Sequence, residues 1–206
     1  LFTKFVIDKK IFVPKNNVIK IETGDGIKTV YPSLENGKVV SSKVEMGVPN
    51  FIASKIPILV PDINDSDSPK FDMEILGHNL VITCLSIGNP HAVCIMESNV
   101  EEFPLVEVGK IVEKHEFFPN RINFEIVNVI SRSKIRARIF ERGAGETLSS
   151  GTGSTASASA SRYNGLVDDK VEVILDGGNL DISWDEKEMA ILEGPSVEVF
   201  QGVWSD

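Results

Sequence analysis

Residues 141–161, ERGAGETLSSGTGSTASASAS, combine a charged pair with a long run of very small side chains. Glu141 and Arg142 end a predicted strand, and no helix breaker interrupts residues 152–162, so the glycines are predicted to lead into a helix. Free N–H groups at residues 151–154 would then form an anion site for a small carboxylate, with Arg142 as an additional cation. The alternative is a helix packed tightly in a crowded core, whose glycines serve only as turns.

Several well-known catalytic loops do not match this stretch. It lacks the Gly-Lys-Ser/Thr ending of a nucleotide P-loop and the six-residue dinucleotide fingerprint. Ser150 is not in a G-x-S-x-G elbow, because Leu148 and Thr152 occupy the outer positions. No lysine stands beside the stretch to form a Schiff base, and no Cys/His cluster has metal-ligand spacing. We therefore expect neither a metal nor pyridoxal phosphate.

The elements that must position these residues are mostly strands. Alternating apolar residues in NVIKIET, IKTVYPSL and KVVSSKVEMG predict a three-stranded meander, with tight turns around Asp25 and at Asn36-Gly37. An amphipathic helix is predicted before it from the spacing of Leu1, Phe2, Phe5 and Val6. Since neither an N-cap nor an initiator Met stands in front of that helix, we expect further residues upstream.

The remainder of the chain is predicted to be strand-rich as well. A crossover with an exposed loop, including the polar run at residues 64–68, follows a domain boundary near Gly47. Strands are predicted at FDMEIL, NLVITCLSI, HAVCIMES, INFEIVNVIS, KIRARIFER, VEVILDGGNLDISW and EMAILEGPSVEVF. One amphipathic helix is predicted with a buried face made of Leu105, Val108, Ile111 and Val112. Together these elements predict an α+β protein.

The composition is that of a globular protein with one large domain or two small ones. The 206 residues are 42% hydrophobic and carry a formal net charge of −9, which argues against a nucleic-acid partner. We expect no membrane span and no secretory signal, because no long apolar run or basic leader is present. Cys84 and Cys94 lie in apolar runs and are predicted to be buried free thiols in a reducing cytoplasm. His78 and His115 are predicted to be surface residues.

Three motifs in register resemble one known family. GNPHAV at 88–93, FPNRIN at 118–123 and ERGAGETLSSGTG at 141–153 are similar to the diaminopimelate epimerases, which are cofactor-independent amino-acid racemases. The resemblance implies two similar lobes, each with a central helix wrapped by mostly antiparallel sheet. It implies that 1–48, completed by 195–206, is the remainder of an incomplete first lobe, and that 49–194 is the second lobe.

The resemblance also assigns roles to individual residues. It implies substrate binding by Asn89, Asn123, Glu141, Arg142, Gly151 and Thr152. It implies catalysis at position 150, here Ser150, assisted by His91 and Glu141. Without the family, His91 is as well explained as a turn residue after Asn-Pro, and Asn123 as a partner of a neighbouring turn. Glu141 and Arg142 would be a solvated pair at a strand end.

Two departures from the family concern the reactive groups. Ser150 stands where the family has its second catalytic cysteine, and the first cysteine is expected in a Gly-Asn-Gly loop upstream of Leu1. A thiol has an ordinary pKa near 8.5, whereas the pKa of a hydroxyl is far higher, close to that of water. That gap removes roughly 10 kcal/mol of driving force for proton abstraction. Ser150 is therefore expected to impair the enzyme unless His91 or Glu141 is a strong partner.

Three hypotheses follow for the function. The first is an isomerase that converts LL- to meso-diaminopimelate without a cofactor, for lysine and cell-wall precursor synthesis, with its cysteine replaced by serine. The second is a related racemase or isomerase that acts on another carboxylate. The third is a non-catalytic protein that binds an amino acid. In each case the ligand is a small amino acid or carboxylate, and the resemblance implies a homodimer.

Overall fold

The computed structural model describes residues 1–61, 63 and 69–203, which form two compact units. The first unit is Leu1–Glu45 together with the segment that begins at Glu193, and the second is Met46–Leu192. These units are groups of mutual contacts. The lobes that the resemblance implies stay a prediction, because a lobe is defined by its repeated architecture rather than by compactness.

The first unit contains one helix and the predicted meander. Its elements are helix α1 (Phe2–Asp8), strands β1 (Ile19–Thr23) and β2 (Gly26–Glu35), and all but the last two residues of β3 (Lys38–Gly47). Each strand pairs antiparallel with the next, and Asn36 and Gly37 both have positive φ, as the predicted tight turn requires. The α1 helix is confirmed, but of its predicted apolar residues only Val6 is buried, together with Thr3 and Ile7, whereas Leu1, Phe2 and Phe5 are exposed.

The second unit is built on one long sheet with two helices. Its strands are β4 (Lys70–Ile75), β5 (His78–Ser86), β6 (Pro90–Ile95), β7 (Asn123–Ser131), β8 (Lys134–Glu141), β9 (Gly145–Thr147), β10 (Lys170–Leu175), β11 (Gly178–Trp184) and the first part of β12 (Ala190–Pro195). Its helices are α2 (Leu105–Val112) and α3 (Gly151–Tyr163). The strand order from β11 is β11-β10-β8-β7-β6-β5-β4, and β9 pairs with β8. The β6–β7 and β8–β10 pairs are parallel.

Helix α3 is the centre of this unit. Residues 153–161 are all buried, and the helix contacts β5, β6, β7, β8, β10 and β11. Side chains as small as serine and alanine let strands approach the helix closely, and several hydroxyls donate to backbone carbonyls one turn earlier, as Ser161 does to Ser157. At Gly153 an added Cβ would lie 2.9 Å from Ile139 Cδ1. The central helix and the α+β class are confirmed.

Helix α2 packs against β4, β7, β8 and β9, with a slightly different face from the predicted one. Leu105, Val108 and Val112 are buried as expected, but Ile111 is 39% exposed. Its place toward the core is taken by Gly109, where an added Cβ would lie 2.5 Å from the Phe140 ring. The helix therefore approaches β8 through a glycine rather than through an isoleucine.

Several smaller predictions have mixed outcomes. Cys84 and Cys94 are free, buried and on strands, as predicted. His78 and His115 are not simple surface residues, because each is half-buried and packs against a phenylalanine ring. Strand β9, inside the GAGET sequence, was not predicted. The exposed loop predicted over residues 64–68 lies outside the described residues.

Candidate functional site

The site begins where strand β8 ends and helix α3 begins. Glu141 is the last residue of β8, and Ser150 is the N-cap of α3, with extended backbone angles of φ −142° and ψ 125°. The Leu148 carbonyl oxygen between them accepts a hydrogen bond from the Gly177 N–H at 2.7 Å, which anchors the loop to the turn before β11. Sheet and helix together therefore fix the position of residue 150.

Ser150 and Glu141 are hydrogen-bonded to each other. The Ser150 hydroxyl donates to Glu141 Oε2 at 3.1 Å and accepts from the Gly153 N–H at 3.2 Å. The other carboxylate oxygen, Glu141 Oε1, accepts from the Thr147 hydroxyl at 2.7 Å. Glu141 is half-buried, and this hydroxyl–carboxylate pair is the arrangement in which a carboxylate can take a proton from its neighbour.

The start of helix α3 keeps two backbone donors free. Of the predicted donors at residues 151–154, the Gly153 N–H is used by the Ser150 side chain and the Ser154 N–H by the Ser150 carbonyl oxygen. The Gly151 and Thr152 N–H groups have no hydrogen-bond partner among the described residues. Gly151 is exposed and Thr152 half-buried, so two of the four predicted donors are available to a ligand, and the anion site itself stays a prediction.

Asn89, which directly precedes strand β6, links the same helix start to His91 within that strand. The Asn89 Nδ2 donates to the Thr152 hydroxyl at 3.4 Å, and Asn89 Oδ1 lies 2.9 Å from His91 Nε2. His91 is fully buried in β6, so the interpretation of this residue as a simple turn residue is wrong. A continuous polar connection thus runs from the buried His91 to the exposed end of α3.

Glu125 is a residue that the sequence reasoning missed. It is fully buried in strand β7, with its Oε1 atom 2.6 Å from His91 Nδ1. Burial raises the pKa of the Glu125 carboxyl; the nearby His91 opposes that rise and the negative Glu141 adds to it. The signal in the sequence was a glutamate in the middle of the apolar run INFEIVNV.

Asn123 and Arg142 have structural partners. Asn123 is buried; its Nδ2 donates to the Pro90 carbonyl oxygen at 2.8 Å and its Oδ1 accepts from the Arg142 N–H at 2.9 Å. The exposed Arg142 guanidinium donates to the Asn120 carbonyl oxygen at 2.9 Å. Asn123 therefore joins the start of β6 to the end of β8. The substrate-binding roles of both residues stay predictions.

The structure thus brings together two groups of the predicted site residues. Glu141 and Ser150 form one hydrogen-bonded pair. Asn89 connects His91 to Thr152, the residue after Gly151 at the start of α3. Within the described ranges, no three His, Cys, Asp or Glu side chains come together as a set of metal ligands. None of the helices in those ranges is both long and apolar enough to cross a membrane.

Comparison with known sequences gives a consistent family. Residues 83–199 match the family model described as Diaminopimelate epimerase. The chain is 46% identical over 202 residues to a diaminopimelate epimerase of Methanococcus maripaludis strain C5, which covers 97% of this chain and 70% of the relative. It is 42% identical over 203 residues to one of Acetivibrio thermocellus, covering 97% of this chain and 69% of that relative.

Comparison with solved structures identifies the same fold in more distant proteins. A hydroxyproline epimerase from Agrobacterium vitis superimposes with a TM-score of 0.65 at 14% identity, covering 93% of this chain and 60% of that one. A probable proline racemase from Agrobacterium radiobacter K84 also gives 0.65, at 15% identity over 97% of this chain and 66% of that one. At these identities the likeness concerns the fold alone.

Proposed function

The chain belongs to the diaminopimelate epimerase family, and on that premise we propose that the protein inverts the α-carbon of diaminopimelate, from LL to meso, without a cofactor. The observation that carries the proposal is the Ser150–Glu141 hydrogen bond beside the two free N–H groups at Gly151 and Thr152. These donors suit the substrate's α-carboxylate, and residue 150 then faces the adjacent α-carbon. The reaction supplies lysine and cell-wall precursors.

The chemistry asked of this site is proton removal from a weak carbon acid. The α C–H bond breaks, its electron pair is delocalised toward the carboxylate, and the proton passes to the Ser150 oxygen while the hydroxyl proton moves to Glu141 Oε2. Inversion is completed when a second acid on the opposite face returns a proton to the α-carbon. The positive end of helix α3 stabilises the negative charge that develops on the carboxylate. A serine hydroxyl is too weak an acid to ionise alone, so Glu141 is the group that takes the proton from Ser150.

The exchange of the substrate α-hydrogen with deuterium in heavy water tests this proposal. The assay uses the protein expressed from its complete reading frame, as wild type, Ser150→Cys and Ser150→Ala, and follows diaminopimelate by mass spectrometry. We expect exchange to rise by about 10²-fold or more in Ser150→Cys, because a thiolate forms near neutral pH, and to disappear in Ser150→Ala.

Other outcomes separate the alternatives. No exchange of diaminopimelate in Ser150→Cys counts against the proposal. If the wild type, with Ser150 and Glu141 as its acid/base pair, exchanges the α-hydrogen of a different amino or hydroxy acid, the result supports a related isomerase. Binding of an amino acid by calorimetry, with no exchange in any variant, supports a binding protein.

Three further features belong to the proposal. We place the protein in the reducing cytoplasm, which agrees with the two free buried thiols of Cys84 and Cys94. We expect two lobes, with 1–48 and 195–206 in one and 49–194 in the other. A homodimer is expected from the family, and light scattering of the purified protein tests it.

A further inference from the structure

Glu125 is an ionisable side chain that the proposed reaction does not use. It is fully buried in β7, and in the described part of the chain its Oε2 atom has no hydrogen-bond partner. An apolar residue of similar size would avoid the desolvation cost of burying a carboxylate. Among the described residues, the polar contact that offsets this cost is the 2.6 Å approach of Glu125 Oε1 to His91 Nδ1.

The direction of the hydrogen bonds around His91 follows from its neighbours. Asn89 presents Oδ1 to His91 Nε2, and an amide oxygen can only accept, so Nε2 carries a hydrogen. His91 Nδ1 then shares one further proton with Glu125 Oε1, either as an imidazolium beside a carboxylate or as an imidazole beside a carboxylic acid. Both forms leave the buried pair neutral overall, which is the condition for burying it.

The contact between Asn89 and Thr152 does not by itself fix the orientation of the Asn89 amide. Asn89 Nδ2 faces the Thr152 hydroxyl at 3.4 Å, and a hydroxyl can either donate or accept. If His91 were neutral with its hydrogen on Nδ1, Nε2 would become an acceptor and the Asn89 amide would turn over. Its oxygen would then point toward Thr152, where the substrate carboxylate is expected, and would repel it.

We propose that Glu125 is a positioning residue for the carboxylate site, holding the Asn89 amide through His91 so that its NH₂ group faces the start of helix α3. The inference rests on the proposed function for the identity of the ligand. The polar connection Glu125–His91–Asn89–Thr152 is independent of that identity.

Nitrogen NMR of the histidine rings in the ligand-free protein tests the connection directly. We expect His91 to show a protonated Nε2 and a proton shared at Nδ1, with His78 and His115 as internal references. A wild-type spectrum with an unprotonated Nε2 overturns the proposal, whatever the protein binds. Since this measurement needs no variant and no substrate, it stands even if the proposed function fails.

Two substitutions test the consequence for binding, measured by calorimetry with diaminopimelate. Glu125→Gln keeps the shape and can donate its amide N–H to His91 Nδ1, so we expect an affinity within about threefold of wild type. Glu125→Leu removes that partner and leaves both ring tautomers open, so we expect binding about tenfold weaker and mixed His91 tautomers.

The variants also separate positioning from folding. A purely structural role of Glu125 would lower the melting temperature of Glu125→Leu and leave its Kd and the His91 tautomer unchanged, which overturns the proposal. Equal weakening by both variants overturns it as well. Should Glu125→Leu fail to fold, the wild-type spectrum and the affinity of Glu125→Gln decide the question. A wild type that does not bind diaminopimelate refutes the proposed function and leaves the NMR result to decide the role of Glu125.

Discussion

Glu141 and Glu125 lie on neighbouring strands, β8 and β7, and stand in opposite surroundings. Glu141 is at the end of its strand, is half-buried, and accepts hydrogen bonds from the hydroxyls of Thr147 and Ser150. Glu125 is the third residue of its strand and is fully buried, and its one polar partner among the described residues is His91.

The difference shows how one side-chain type can have two functions in the same sheet. A carboxylate that is partly hydrated and bonded to hydroxyls can gain and lose a proton without disturbing the fold, which suits acid/base work. A fully buried carboxylate holds its polar partner in one direction, because moving that partner away leaves a buried charge unpaired. Glu141 is therefore expected to affect rate, and Glu125 to affect geometry and stability.

The largest expected effect is a loss of α-hydrogen exchange when Glu141, but not Glu125, is replaced. In the Ser150→Cys background, we expect Glu141→Gln to lower the rate of α-hydrogen exchange by about 10²–10⁴-fold, because the proton acceptor beside residue 150 is lost. The matched variant Glu125→Gln should lower it by no more than about threefold. Rates are measured in heavy water at saturating diaminopimelate. Similar losses in both variants would break the comparison.

The next effect concerns the close packing that positions residue 150. Gly153→Ala places a Cβ 2.9 Å from Ile139 Cδ1, so we expect a loss of about 1–3 kcal/mol in the free energy of unfolding. Gly151→Ala is the matched control, since its Cβ would lie 3.4 Å from Leu192 Cδ1. At position 151, alanine has a smaller backbone entropy than glycine in the unfolded chain. The free energy of unfolding should therefore be unchanged or raised by about 0.5 kcal/mol.

Urea unfolding followed by circular dichroism measures both glycine variants. The expected result is a lower midpoint for Gly153→Ala alone. If the two variants are equally stable, helix α3 can shift away from β8 at no cost. The hydrogen bond between Ser150 and Glu141 would then not depend on a fixed helix start.

The sequence predicts the Ser150–Glu141 pair better than it predicts the His91–Glu125 pair. The start of α3 follows from the glycines and the uninterrupted run after Thr152, and Glu141 precedes it at short range in the chain. Glu125 and His91 are 34 residues apart and meet only because β6 and β7 run parallel in one register. An apolar strand pattern marks Glu125 as unusual but cannot name its partner.

The same limit explains the smaller errors. Helical spacing gives the amphipathic character of α1 and α2, but which face turns inward depends on the strands beneath. In α2 the Phe140 ring fills the space beside Gly109, so Ile111 points outward. In α1 the buried set is Thr3, Val6 and Ile7, which follows the same helical spacing from a different starting residue. Such choices are made by tertiary packing, which local periodicity does not contain.

The smallest expected effect is a pH dependence of stability with opposite signs for two glutamates. Burial raises the pKa of Glu125 above its ordinary value of 4.5 in the folded protein. As the pH rises above 4.5, this glutamate ionises in the unfolded chain while it still holds its proton in the folded protein. The stability of the wild type therefore falls until the pH exceeds the raised pKa. Glu125→Gln has no such loss. We expect its stability relative to wild type to increase as the pH rises.

Glu101 on the surface gives the control of opposite sign. Its hydrogen bond to Arg136 lowers the pKa of the Glu101 carboxyl, so the stability it contributes is present above 4.5 and is lost as the pH falls. The stability of Glu101→Gln should therefore approach that of wild type as the pH falls. The stability of Glu125→Gln relative to wild type should instead increase as the pH rises. Urea unfolding between pH 4 and pH 8, at roughly unit intervals, distinguishes the two slopes. A Glu125→Gln curve parallel to wild type would mean that the Glu125–His91 pair binds the same number of protons in the folded and the unfolded chain. Burial alone would then not set the charge of Glu125.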